Sequence, residues 1–330
     1  MYYNRTISEP LAKLISPGGE LRWLFDFVRT HDDLDFLIGK SDSGEWISVY
    51  RGLSRVLSIT PCADKQHIKI DAADKFKELE PNLYGPEKEP SNFSKQLNSL
   101  ISKIRKDDAF NRYYNNRKEG YFQNELSRRF GINGTKEDDF VVLDKEAVIG
   151  YADISEKRRI YTTLREPYKK LQEEISKENS KRYGKDLQKK TIGNELDFLA
   201  LDRDGNILLI EYKHGGGGNT SGIYLSPLQI GLYYGLFTSL DRDDLNTAVH
   251  EMLEQKQKIG LINPAWEKAK KLKKIIPVLI VSEYNYASSA QEKFDEILSF
   301  VRGRNGSDFL EDLQTYNYTA ADGLTDWKIK

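Results

Sequence analysis

Cysteine is almost absent: Cys62 is the single one in 330 residues. One thiol cannot close an internal disulfide, and it excludes a Cys₄ zinc or iron–sulfur cluster. Long hydrophobic runs are missing too, and no stretch approaches the roughly 20 apolar residues that span a bilayer. The opening residues, MYYNRTISEP, contain no basic segment followed by an apolar one, so no secretory leader is expected. These features make the cytoplasm the expected location, with no membrane partner. Charge of one sign is not in excess either: 50 Lys and Arg stand against 51 Asp and Glu, a net charge of −1. Such a balance argues against non-specific coating of nucleic acid, which needs lysines and arginines where the phosphates lie. No G-x-x-x-x-G-K-[ST] loop is present, so the chain carries no ATPase motor of its own.

What is there is a well-charged globular composition, with 38% hydrophobic and 31% charged residues. The length allows one large domain or two ordinary ones. Residues 1–90 read as an α+β region of unknown role, with a helix at 21–30 and strands over 45–60 and 67–70. Trp23, Trp46 and His67 there read as packing residues. The stretch PNLYGPEKEPSN (81–92) carries three prolines and a glycine and reads as a linker. Residues 91–304 form the second region, and 305–330 a polar tail. Within 93–130 the pattern is helical, ending in YFQNELSRRF before Gly131. FVVLD and AVIGYAD (140–153), separated by DKE, read as a hairpin. A charged helical segment over about 155–190 reads as an insertion. Its part 157–190 holds twelve Lys and Arg against five Asp and Glu, which suits either a solvated helix or an arm facing nucleic acid. Strands at 196–201 and 206–213 flank the turn DRDG. An apolar helix at 226–240 follows, then helical segments at 243–259 and 264–274, an apolar strand at 274–284 and a helix at 289–303. This order predicts an α/β fold, a mixed sheet flanked by helices.

One block can do chemistry. Glu211 and Lys213 are two apart on a strand and share a face, while Tyr212 takes the other. Asp197 comes back toward them across the turn. Hard oxygen donors of this kind suit Mg²⁺, with Mn²⁺ able to substitute, and the backbone carbonyl of Tyr212 offers a further oxygen. Glu195 shares Asp197's face by alternation and competes as a ligand. Polar side chains that close an apolar run need a reason to be there. A glycine loop, 215–218, follows at once, and Gln229 and Tyr233 lie four apart on the next helix. His214 should face away from the acids. Tyr113, Tyr114 and Tyr121 can stack on unpaired bases or simply pack.

Asp197 with Glu211-Tyr212-Lys213, followed by QIGLY (229–233), resembles the PD-(D/E)XK nuclease superfamily, in its RecB-like and lambda-exonuclease-like branch with a QxxxY motif. The resemblance covers about 120–300. It implies a restriction-endonuclease-like α-β-β-β-α-β core with the 155–190 segment inserted. It makes Asp197 and Glu211 metal ligands and Lys213 the catalytic lysine, and it brings Gln229 and Tyr233 to the active site. Gly193 suits that branch, and Glu125 on the first core helix is the best match for a further ligand. Leu196 stands where the name-giving proline would be. The implied activity is metal-dependent hydrolysis of phosphodiesters in DNA, with RNA as the alternative substrate, in repair, recombination or anti-phage defence. A second copy of the chain or a helicase/ATPase acting in trans would be compatible partners. Two other readings are an inactive nucleic-acid-binding or interaction protein on the same fold, and a sequence-specific restriction endonuclease.

Overall fold

The computed structural model describes residues 1–327 apart from 42–43, 65–66, 112–113, 115–117, 184–191, 194, 217–219, 270 and 305. The chain divides into two compact units: residues 4–143 with 247–267, and residues 1–3 with 144–246 and 268–330. Among the described residues no helix is long and apolar enough to cross a membrane.

The first unit begins with α1 (Glu9–Ile15) and α2 (Arg22–Arg29). Leu24, Phe25 and Val28 of α2 recur at helical spacing and are buried. An antiparallel sheet follows in the order β1 (Asp35–Ser41), β2 (Gly44–Arg51), β3 (Ser54–Pro61), β4 (Ile68–Asp71) and β5 (Gly85–Lys88). Gly52 turns β2 into β3 at a φ of +59°, and a Cβ there would lie 2.9 Å from the Gly120 carbonyl oxygen. Phe36, Ile38, Ile47, Val49, Leu57 and Ile59 bury one face of the sheet. Helices α3 (Asp74–Lys77), α4 (Ser94–Lys106), α5 (Asp108–Asn111) and α6 (Glu119–Arg129) complete the run. The stretch 81–92, expected to be a linker, instead holds a 3₁₀ turn and β5, which pairs with β4. Residue 90 thus lies inside the first unit.

The second unit is a six-stranded mixed sheet flanked by helices. Its elements are β6 (Phe140–Ala147) from residue 144 on, α7 (Ile154–Tyr183), β7 (Leu196–Asp202), β8 (Ile207–His214), α8 (Thr220–Tyr224), α9 (Ser226–Thr238), the start of α10 (Arg242–Ile259), whose residues from 247 on belong to the first unit, β9 (Ile275–Ser282), α11 (Ala290–Val301), β10 (Gln314–Thr319) and β11 (Gly323–Asp326). The strand order is β11-β10-β9-β8-β7-β6. β8 runs parallel to β9 and antiparallel to β7, so it is paired on both sides. That suits its residues 207–212 and all of β9, which are buried. The β7–β8 reversal is the expected Asp-Gly turn. Gly205 has a φ of +87°, and the Asp202 carboxylate accepts from the Asn206 amide at 2.7 Å.

Two expectations fail here. The hairpin expected at 140–153 does not form: Phe140–Ala147 is the single strand β6, and Asp144 and Lys145, expected in the turn, are buried within it. Tyr3 donates to Asp144 Oδ2 at 2.7 Å. The left-handed residue is Glu146, at a φ of +55°. The described residues of 264–274 form no helix; Ala269 N and Lys273 N donate instead to the carbonyls of Arg203 and Gly205. The polar tail supplies β10 and β11, with β10 parallel to β9. The charged segment expected as an insertion is α7, one side of which is packed: Tyr168, Leu171 and Ile175 are buried. A Cβ on Gly231 of α9 would lie 2.5 Å from the Tyr168 ring. Residues 184–190 of that segment lie outside the described residues.

In the first unit Asp33 joins β2 to α4, accepting from Arg51 Nε at 2.8 Å and Arg105 Nε at 2.9 Å. Burial pushes its carboxyl up, but the hydrogen bonds from Arg105 and Arg51 outweigh that and hold it below its ordinary 3.8. A depressed carboxyl stabilises the fold above its unfolded value and loses that contribution as pH falls through the folded value. Asp33→Asn should therefore cost about 2 kcal/mol near neutrality. The gap to wild type should hold down to about pH 4 and narrow below it, measured by urea unfolding from neutral pH downward.

Candidate active site

The last ladder pair between β7 and β8 is Phe198 with Ile210, and one further step sets Asp197 opposite Glu211. There Asp197 Oδ2 accepts from the Tyr212 backbone amide at 2.8 Å. This bond holds the Asp197 carboxylate at the end of the central strand. Glu211 and Lys213 share a face, and Lys213 Nζ donates to Glu211 Oε1. The Glu211 side chain is 2% exposed and that of Lys213 12%, so the cation is the more open of the two.

Tyr212 points to the opposite face, fully buried, and its hydroxyl donates to Ser282 Oγ at the end of β9. His214 Nδ1 lies 3.3 Å from the same Oγ. His214 therefore faces away from the acid pair, as alternation predicts. Gly215 is tied rather than loose: its amide donates to the Ser282 carbonyl at 2.6 Å, and a Cβ would meet Tyr284 Cα at 2.6 Å. Gly217 and Gly218 lie outside the described residues, as does Tyr113. Tyr114 and Tyr121 pack edge to face in the first unit at 5.7 Å, and the Arg51 guanidinium lies 4.1 Å from the Tyr114 ring centre.

Helix α9 brings up the second half. Its first turn contains Pro227, where a missing N–H costs nothing. Tyr233 is 1% exposed and donates to the Glu195 carbonyl at 2.6 Å. A Cβ on Gly193 would stand 3.5 Å from the Tyr233 hydroxyl and 4.0 Å from Gln229 Nε2. Burial drives the Tyr233 phenol far up; Glu211 and Asp197 push the same way, against a hydrogen bond with Gln229. The phenol therefore stays protonated and stays a donor. That coupling brings Asp197, Glu211, Gln229 and Tyr233 into one neighbourhood.

Glu195 and Glu125 are the two further acids expected as ligands. Glu195 precedes β7 and is exposed, and its carbonyl is what Tyr233 engages. Glu125 lies on α6, in the first unit. Among the described residues no group of three or more His, Cys, Asp or Glu could hold a metal. A carboxylate pair is still a chemically apt donor set for Mg²⁺, which keeps several waters and takes one or two carboxylates.

Ser282 and Tyr161 were not singled out from the sequence. Ser282 is a lone hydroxyl closing the apolar run IIPVLIVS, which was the available signal. Tyr161, on α7, donates to the Ile192 carbonyl at 3.3 Å and acts on Tyr233. No family model matches the chain, and neither a curated protein nor a solved structure matches it.

Tyr233→Phe should leave the Glu195 carbonyl without its donor and lower stability by about 1 kcal/mol. Denaturant unfolding of the two proteins measures this; an unchanged midpoint would contradict the anchoring role.

Proposed function

We propose that the chain is a Mg²⁺-dependent nuclease of the PD-(D/E)XK kind, acting on DNA. The carrying observation is the meeting of Asp197, Glu211 and Lys213 at one end of β8, under Tyr233. The strand run β9-β8-β7-β6, with β8 parallel to β9 and α9 between them in sequence, supports a restriction-endonuclease-like core. The preference for DNA over RNA rests on the resemblance alone.

On this reading Asp197 and Glu211 hold the ion, with the Tyr212 carbonyl as a further oxygen. When bound, Mg²⁺ would polarise a phosphoryl oxygen and lower the pKa of a water. Lys213 sits beside Glu211, where its ammonium orients the attacking water and offsets charge building on the phosphorane. The water oxygen bonds to phosphorus and gives up a proton to solvent, the phosphorus–oxygen ester bond breaks, and the leaving oxygen takes a proton from solvent; no covalent enzyme intermediate forms. Tyr233, protonated and bonded to the Glu195 carbonyl, fixes the approach to β7 and so the position of Asp197.

One observation favours a second reading, a nucleic-acid-binding protein without hydrolysis. Lys213 and Glu211 already satisfy one another, and no third acid joins the pair among the described residues.

Incubation of supercoiled plasmid and of linear single- and double-stranded DNA with Mg²⁺ or Mn²⁺ separates the two. Cleavage by wild type, reduced about 100-fold or more in Lys213→Ala and Glu211→Gln, is expected. Equal cleavage by wild type and Lys213→Ala would overturn the assignment. Binding without cleavage under either ion would favour the second reading.

A further inference from the structure

The first half of α7, residues 154–170, carries six Lys and Arg against two Glu. Arg159 is exposed and lies in electrostatic reach of Glu156. Arg165 is different. It is half-buried, and its Nε is buried with no hydrogen-bond partner among the described residues. Its neighbours three and four positions away on the helix are Tyr161, Thr162, Tyr168 and Lys169, none of them an acid. The part of the side chain open to a ligand is its Nη edge rather than the buried Nε; a buried donor left unsatisfied costs about 1–3 kcal/mol, so the placement of this arginine needs a reason.

The surroundings supply one. The Arg165 guanidinium lies 5.8 Å from the centre of the Tyr161 ring. Tyr161 donates to the Ile192 carbonyl, and Ile192 adjoins Gly193, which faces the Tyr233 hydroxyl. Arg158, Tyr161 and Arg165 fall along one stripe of α7, at spacings of three and four. The stripe borders the same segment that leads into Asp197. A planar, permanently charged fork against an aromatic ring suits a phosphate better than an ammonium would.

We infer that Arg165, backed by Tyr161, binds a backbone phosphate of the substrate strand beside the scissile one. The substrate is then a polynucleotide that runs along α7, which offers a second phosphate there besides the one being cut. This inference rests on the nuclease reading of Asp197, Glu211 and Lys213.

The test compares wild type, Arg165→Ala, Arg165→Lys and the exposed control Arg159→Ala. Two readouts are used: cleavage kinetics on a labelled oligonucleotide with Mn²⁺, and oligonucleotide binding by anisotropy across a salt series. Arg165→Ala should raise KM about tenfold with kcat little changed. It should also flatten the plot of log affinity against log salt by about 0.7–0.9, the share of one phosphate. Arg165→Lys should restore most of the slope and part of the KM, and Arg159→Ala should match wild type. If wild type cleaves and Arg165→Ala keeps its KM and slope, the clamp is wrong and the nuclease reading stands. An equal fall in kcat for Arg165→Ala and Arg165→Lys with an unchanged slope also overturns the clamp, as a structural effect. If wild type cleaves nothing, the nuclease reading fails. The salt slope then still decides the clamp: a flattened slope in Arg165→Ala supports it, and an unchanged slope or no binding by wild type overturns it.

Discussion

A carboxylate buried at the end of a central strand is costly unless a cation stands beside it. Glu211 meets that condition through Lys213, two residues on and on the same face. The rest of the second unit is arranged around this pair. β9 and β7 cover the two edges of β8, so its backbone is satisfied on both sides. β7 delivers Asp197 to the same end, where its carboxylate takes the amide of Tyr212 that the ladder leaves over. Helix α9, largely buried, lies where Tyr233 reaches back to the chain entering β7.

The two faces of β8 do different work. On one, Glu211 and Lys213 hold opposite charges close together at a partly open edge. On the other, Tyr212, Ser282 and His214 form a polar chain that ties the ends of β8 and β9. A strand whose far face is fixed in this way can hold its near face rigid, which a catalytic geometry requires. Gly215 continues the fixing, because its backbone passes too close to Tyr284 for any side chain.

The parts of this arrangement that follow from local pattern were legible in the sequence. Alternation put Glu211 with Lys213 and sent Tyr212 and His214 the other way, and the Asp-Gly step marked the turn that returns Asp197. What escaped depends on distant partners. β10, QTYNYT, has little apolar signature of its own and is a strand because it lies along β9, some 36 residues earlier in register. The DKE triplet at 144–146 reads as a turn by composition, yet Asp144 is buried against Tyr3, a contact 141 positions away. The segment 264–274 had a helical composition, but its amides go to the carbonyls of the β7–β8 turn. Arg165 belonged to a charged stretch that looked uniform; only the folded helix separates it from its exposed neighbours.

Direct titration with Mn²⁺, followed by electron paramagnetic resonance of the free ion, tests the central claim that Asp197 and Glu211 make one cation site. One Mn²⁺ bound per chain is expected, lost in Asp197→Asn and in Glu211→Gln and kept in Asp202→Asn, whose carboxylate serves the β7–β8 turn. Binding that survives both Asp197→Asn and Glu211→Gln, or no binding by wild type, would contradict it.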